Sequence, residues 1–163
     1  MERNLKRIAS TLLLAPTLIA AIVPVLCPIL LKAQCPMTLV GNDPKIEPKR
    51  LSEAKAGDAE AQFEIGTCYD IGLVVPQDYA ETAAWYRKAG DQGVVEAQSR
   101  LAFFYHFGRG VSKDYAQAAV WYRKAAERGD AGSQFDLGTL YDKGQGVPQN
   151  YSEAAGWYRK AAE

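Results

Sequence analysis

The chain has 163 residues, 48% apolar and 23% charged, with 19 basic and 19 acidic groups. That is long enough for one domain with its own core, and the balance excludes a disordered tail protein. Four of the basic groups (Arg3, Lys6, Arg7, Lys32) and one acid (Glu2) fall in residues 1–35. The remainder is weakly acidic with interspersed signs, which excludes an electrostatic footprint for nucleic acid.

Residues 1–35 come first in chain order. A basic start precedes a charge-free run from Ile8 to Leu31, broken by Pro16, Pro24 and Pro28. The run reads as an export signal or a membrane anchor and not as part of the fold. It is longer than the apolar region of a cleavable signal, and Leu31-Lys32-Ala33 and Ala33-Gln34-Cys35 are mediocre exits. A retained anchor that contacts the membrane through residues 8–31 therefore competes with cleavage. Lys32-Ala33-Gln34 is also a poor match to the residues that precede a lipidated cysteine. The basic residues before the run place the rest of the chain on the exported side, periplasmic, secreted or membrane-anchored. Residues 36–50, which include Gly41-Asn42-Asp43-Pro44, read as a linker.

From there the sequence repeats with a period of 36 residues. Trp85, Trp121 and Trp157 each stand inside Trp-Tyr-Arg-Lys-Ala, and the same offset aligns Tyr69, Tyr105 and Tyr141 and also Gly72, Gly108 and Gly144. The units run over 58–93, 94–129 and 130–163, and residues 51–57 align with the tail of a second helix as an N-terminal half-cap. In each unit, positions such as Ala61, Ile65, Cys68 and Tyr69 form one stripe of a first helix. Gly66 and its counterparts Ala102 and Gly138 let the paired helix come close. A Gly-rich turn follows, and Asp78, Asp114 and Asn150 then start a second helix. Glu81, Gln117 and Glu153, three positions on, complete a capping-box pattern. Cys27, Cys35 and Cys68 share no metal or disulfide spacing, so Cys68 is expected as a small buried apolar residue. A Cys35–Cys68 disulfide would require both cysteines to reach an oxidising compartment.

On these motifs, residues 58–163 resemble Sel1-like repeats, relatives of tetratricopeptide repeats. The resemblance rests on Ala59-Glu-Ala-Gln-Phe-Glu-Ile-Gly66 with Tyr69, on Gly108-x-Gly110-Val with Asp114, and on Trp121-Tyr-Arg-Lys-Ala-Ala126 with Gly129. It implies an all-α fold, a solenoid of three stacked helix-turn-helix repeats after an N-terminal hydrophobic helix. It also implies a scaffold or adaptor that binds a protein or peptide, with no shared catalytic residue. Cysteine-rich secreted relatives linked to β-lactam binding carry regular cysteine pairs, which this chain lacks.

No enzyme, cofactor or metal site is expected. His106 is the single histidine, which rules against a His-based triad or a multi-His metal site within one chain. Ser52-x-x-Lys55 lacks the companion elements of penicillin-binding enzymes. The Gly-x-Gly turns follow helices and recur once per unit, so they are structural. Asn150-Tyr-Ser152 has the form of a glycosylation sequon, but its asparagine serves better as a helix cap. An envelope hydrolase, a β-lactam-interacting repeat protein and a regulatory subunit of an envelope enzyme remain the alternative functions.

Helical geometry puts Glu60, Glu64, Thr67 and Ile71 opposite the packed stripe, the second unit places Glu96, Arg100, Phe103 and Phe107 there, and the third places Gly132, Asp136, Thr139 and Lys143. The candidate protein-binding residues are accordingly Arg100, Phe103, His106 and Phe107, an Arg-plus-aromatic cluster of the kind that forms interface hot spots. The competing reading packs Phe103 and Phe107 against a neighbouring helix. No polar capping helix is visible before Glu163, so the outer face of the last repeat is expected to be open, either as the edge of a fragment of a longer protein or as a surface for self-association.

Overall fold

The structure, a computed structural model, describes residues 37–40, 43–72 and 74–163. The expected signal or anchor at 8–31 lies outside the described residues. An antiparallel ribbon comes first, β1 (Met37–Val40) and β2 (Asp43–Ile46), with Met37 opposite Ile46. Seven helices follow: α1 (Pro48–Ala56), α2 (Ala59–Ile71), α3 (Tyr79–Asp91), α4 (Val95–Phe107), α5 (Tyr115–Ala126), α6 (Ala131–Lys143) and α7 (Tyr151–Ala161). The expected linker thus contains regular structure. Thr38 and Val40 are β-formers, and a two-stranded ribbon has only edges, where the missing N–H of Pro44 is tolerated. Pro48 lies in the first turn of α1, where its fixed φ suits helix entry, so the half-cap begins before Leu51.

Each helix packs on its neighbours in chain order, and α2–α3, α4–α5 and α6–α7 are the three predicted hairpins. The half-cap works through one small core of Ala54, Ala61, Ile65 and Trp85. A larger core runs on from Phe63 and Tyr86 through Leu101, Phe104, Trp121 and Tyr122 to Leu137 and Trp157.

The capping residues do more than the motif predicts. Oδ1 of Asp78 accepts from the amides of Ala80 and Glu81 at 2.9 and 3.0 Å, and Asp114 and Asn150 repeat this. The return bond of a capping box would need the cap's own N–H, but that group is taken. The Asp78 amide donates to the Tyr69 carbonyl at 3.1 Å, Asp114 to Tyr105 at 2.9 Å and Asn150 to Tyr141 at 3.0 Å. One residue therefore starts the second helix and satisfies a carbonyl near the end of the first, where such groups lack intrahelical partners. First helices are capped by Asp58 and Asp130, whereas Val94 at the same place in the middle unit makes no side-chain cap and is buried.

Successive units are joined by bonds that the sequence reading passed over. Gln62, Gln98 and Gln134 are buried and aligned, and each Nε2 donates to a carbonyl near the end of the preceding helix. The acceptors are Ala54, Gly90 and Ala126, at 3.1, 2.8 and 3.0 Å. Gln134→Leu should lower stability by about 1 kcal/mol, because it removes the bond between units, while the Ala126 carbonyl keeps the Gly129 amide as a donor. The shift of the urea midpoint at unchanged slope measures this.

The Trp-Tyr-Arg-Lys motif is consumed by the scaffold one letter at a time. Trp121 presses on Gly90 of the previous unit, while Tyr86 and Tyr122 fill their own hairpins. The guanidinium groups of Arg87 and Arg123 donate to the hydroxyls of Tyr105 and Tyr141 in the next unit. Lys88, Lys124 and Lys160 lie over the three tryptophan rings at 4.0, 3.7 and 4.2 Å from the centroids. Gly110 and Gly146 of the turns have positive φ and lie against the backbones of Tyr79 and Tyr115.

Cys68 corrects the reading of a plain apolar residue. It is fully buried as expected, but it is disulfide-bonded, with its partner outside the described residues. Phe104 and Leu140 fill the equivalent positions with side-chain volume alone, so in the first unit a covalent link stands where the later units have a larger hydrophobe. Among the described residues no helix is long and apolar enough to cross a membrane.

Candidate protein-binding surface

A groove of about 460 Å³ opens across α2, α4, α5 and α6. Arg100 and Phe103 line it, together with Asp70, Arg109, Tyr122 and Asp136. Phe103 and Phe107 are not packed away against a neighbouring helix. They are 38% and 57% exposed, with ring centroids 4.5 Å apart, and form an aromatic ridge along α4. Arg109 reaches over the Tyr79 ring at 4.7 Å and stands 5.7 Å from Phe103. Arg100 is 3.9 Å from Asp70.

His106 belongs to the cluster only in part. Its ring stacks on Phe107 at 4.5 Å and meets the rings of Tyr115 and Tyr122 edge-on, behind the residues that line the groove. Burial holds its pKa below the usual imidazole range, so it is neutral at neutral pH. The predicted open stripe also closes in the first unit. Thr67 is buried and donates to the Phe63 carbonyl at 3.0 Å.

That threonine exposes what is different about the middle unit. In the outer units the second-helix tyrosine meets a threonine hydroxyl, Tyr86 with Thr67 and Tyr158 with Thr139, both at 3.3 Å. The middle unit has Phe103 in the threonine position, and the buried Tyr122 hydroxyl has no hydrogen-bond partner among the described residues. A Cβ on Gly66 or Gly138 would also come within 2.9 Å of the Tyr86 or Tyr158 ring. Ala102 carries that Cβ, so Tyr122 cannot sit as the other two tyrosines do. Its hydroxyl instead faces the Asp136 carboxylate without meeting hydrogen-bond geometry.

A Sel1 repeat profile matches residues 59–94, 95–130 and 131–163. The chain belongs to the Sel1 repeat family. A protective antigen present in uropathogenic Escherichia coli strains, with an SLR fold, is similar at 38% identity and TM-score 0.66. The match covers 70% of this chain and 24% of that one. A Sel1 repeat protein from Oxalobacter formigenes is similar at 36% identity and TM-score 0.63, over 70% of this chain and 54% of that one. This Sel1 repeat chain thus spans about a quarter of the first and about half of the second. Helicobacter pylori cysteine rich protein B, at 22% identity and TM-score 0.53 over 70% and 81% of the two chains, shares the fold. No curated protein matches in sequence.

The repeats account for Trp, Arg and Lys in this Sel1 chain, and what they leave unexplained gathers in the groove. Asp136, which the sequence places on the open stripe of the third unit but not among the candidate binding residues, is the main addition. Burial raises its carboxyl pKa above the usual range, while the Tyr122 hydroxyl, neighbouring His106 and Asp130 modulate it. A raised folded-state pKa means that stability falls as pH climbs through the carboxylate range. Asp136→Asn should therefore raise the melting temperature at neutral pH, and the gain should vanish at acid pH, where the wild-type carboxyl is protonated. Melting curves of both proteins across that range measure it. The Ser52 hydroxyl donates to the Lys49 carbonyl at 2.9 Å instead of facing Lys55.

Proposed function

We propose that this Sel1 repeat chain is a non-enzymatic interaction scaffold that docks a protein or peptide partner in the groove over α4. The observation that carries this is the exposed Phe103–Phe107 ridge, with Arg100 one turn away, in the one unit that departs from its neighbours at these positions. Desolvating aromatic and Arg side chains at the centre of a groove is how most interface energy is gathered. We place the scaffold on the exported side of a membrane. The disulfide at Cys68 supports an oxidising compartment, as do the basic residues before the apolar run.

The test is the Phe103→Ala, Phe107→Ala double variant. Both side chains are exposed, so helical content and melting should be close to wild type. Quantitative crosslinking and capture by the intact chain should fall at least roughly tenfold, the loss of one hot-spot residue. Unchanged capture by a folded double variant would reject the groove as the docking surface.

A further inference from the structure

We infer that the docking segment presents a lysine or arginine, whose cationic head is held at Asp136 beside the Tyr122 hydroxyl and whose aliphatic stem lies on Phe103. The inference rests on the groove being the docking surface and names the chemistry of its occupant.

The repeat supplies its own precedent. Arg50, Tyr86 and Tyr122 hold one register position on α1, α3 and α5, and the residues at the matching position one helix later are Glu64, Arg100 and Asp136. At the first junction Arg50 donates to the Glu64 carboxylate and is held by Glu53 and Asp58 as well. At the second, Arg100 turns to Asp70. At the third there is a carboxylate like Glu64, but the slot that holds Arg50 holds the phenol of Tyr122. Asp136 forms no ion pair among the described residues. A half-buried carboxylate without a counter-charge is costly, and the fold shows at Glu64 which group relieves it.

The other charges of the groove do not fill the slot. Arg109 is laid over Tyr79, and His106 is held neutral by burial. Asp130 caps α6 through the Ser133 amide, and Glu96 adds a further acid at the mouth, so the lining is net acidic. Tyr122 provides the second observation. Its hydroxyl is buried, faces Asp136 in the groove that the residue lines and has no partner at hydrogen-bond geometry among the described residues, and a phenol oxygen can accept from an ammonium or guanidinium N–H. Phe103, which displaced the threonine that would have satisfied Tyr122, offers its ring to the stem of a long cationic side chain.

The experiment selects binders to the intact chain from a random peptide library displayed on phage, then measures single peptides in solution. Selected peptides should be enriched in Lys and Arg over Asp and Glu. Replacing the basic residue of a binder by norleucine should weaken it roughly tenfold on the wild type, as expected for a charge-assisted hydrogen bond. On Asp136→Asn the same replacement should change affinity less than about twofold, and Tyr122→Phe should reduce the preference in part. Peptides that need Phe103 but show no basic enrichment, or whose basic residue matters as much to Asp136→Asn, would overturn the inference and leave the docking groove standing. Peptides indifferent to Phe103→Ala, or no binders at all, would bring down both.

Discussion

Trp121→Ala is expected to destabilise the repeat domain by about 3–5 kcal/mol, the range for truncating a buried tryptophan. Trp121 is buried, and Gly90 stands so close that a Cβ there would lie 3.2 Å from the edge of the indole ring. Its ring therefore joins the second unit to the first, and Lys124 covers its outer side. In a stacked array each unit touches only its neighbours, so the loss removes a junction as well as a side chain. Urea unfolding followed by far-UV circular dichroism should show a lower midpoint. The transition should also lose its single cooperative form, because the parts on either side no longer share a core. Trp157→Ala, one period later at the end of the described array, should cost less and keep one transition.

The second large effect is at Gly110, where alanine should cost about 3 kcal/mol. Its φ is +64°, a conformation that a residue with a Cβ adopts at a penalty. A Cβ built there would lie 2.2 Å from the Tyr79 carbonyl carbon and oxygen, backbone atoms that cannot swing aside. Relief requires the turn to lift away from the start of α3, which unseats the second unit from the first. Gly146 has the same relation to Tyr115, and Gly146→Ala should behave alike. The first unit carries Val74 at this place. There the equivalent of Tyr79 one period earlier is Asp43, which lies in β2 and begins no helix. The check is the urea midpoint of Gly110→Ala against Gly156→Ala, whose added methyl meets nothing within 4 Å.

Much of this was readable because repetition averages out accident. Three tryptophans at one spacing, three cap residues and three turn glycines specify hairpins, their ends and their stacking without any structure. What was not readable depends on which of two partners a group chooses. The capping-box pattern does not say that the Asp78 amide is already spent on Tyr69, and an aligned Gln62, Gln98 and Gln134 looks like a row of solvated amides until the preceding carbonyl is placed beside it. Cys68 read as a hydrophobe because its counterparts are hydrophobes. The groove was half legible. Phe103 and Phe107 stood out as departures from the repeat, and Thr67, Phe103 and Thr139 in one column held the clue to Tyr122. Asp136 stood on the open stripe of the third unit but was not singled out there, since acids are common on helix faces and its burial comes from the neighbouring helices.

The doubly used cap residues also decide how this molecule can move. Because Asp78, Asp114 and Asn150 each tie the start of one helix to the end of another, the corner inside a unit cannot flex without breaking both ends at once. Between units the backbone is tied as well, from the Val94 amide to the Ala89 carbonyl at 3.1 Å and from Asp130 to Ala125 at 3.2 Å, and a glutamine amide on a carbonyl and an arginine on a tyrosine hydroxyl add to these bonds. The start of α4 is the corner with the fewest ties, because Val94 stands where Asp58 and Asp130 cap the other first helices, so a bound segment should report its arrival first in the amide protection there.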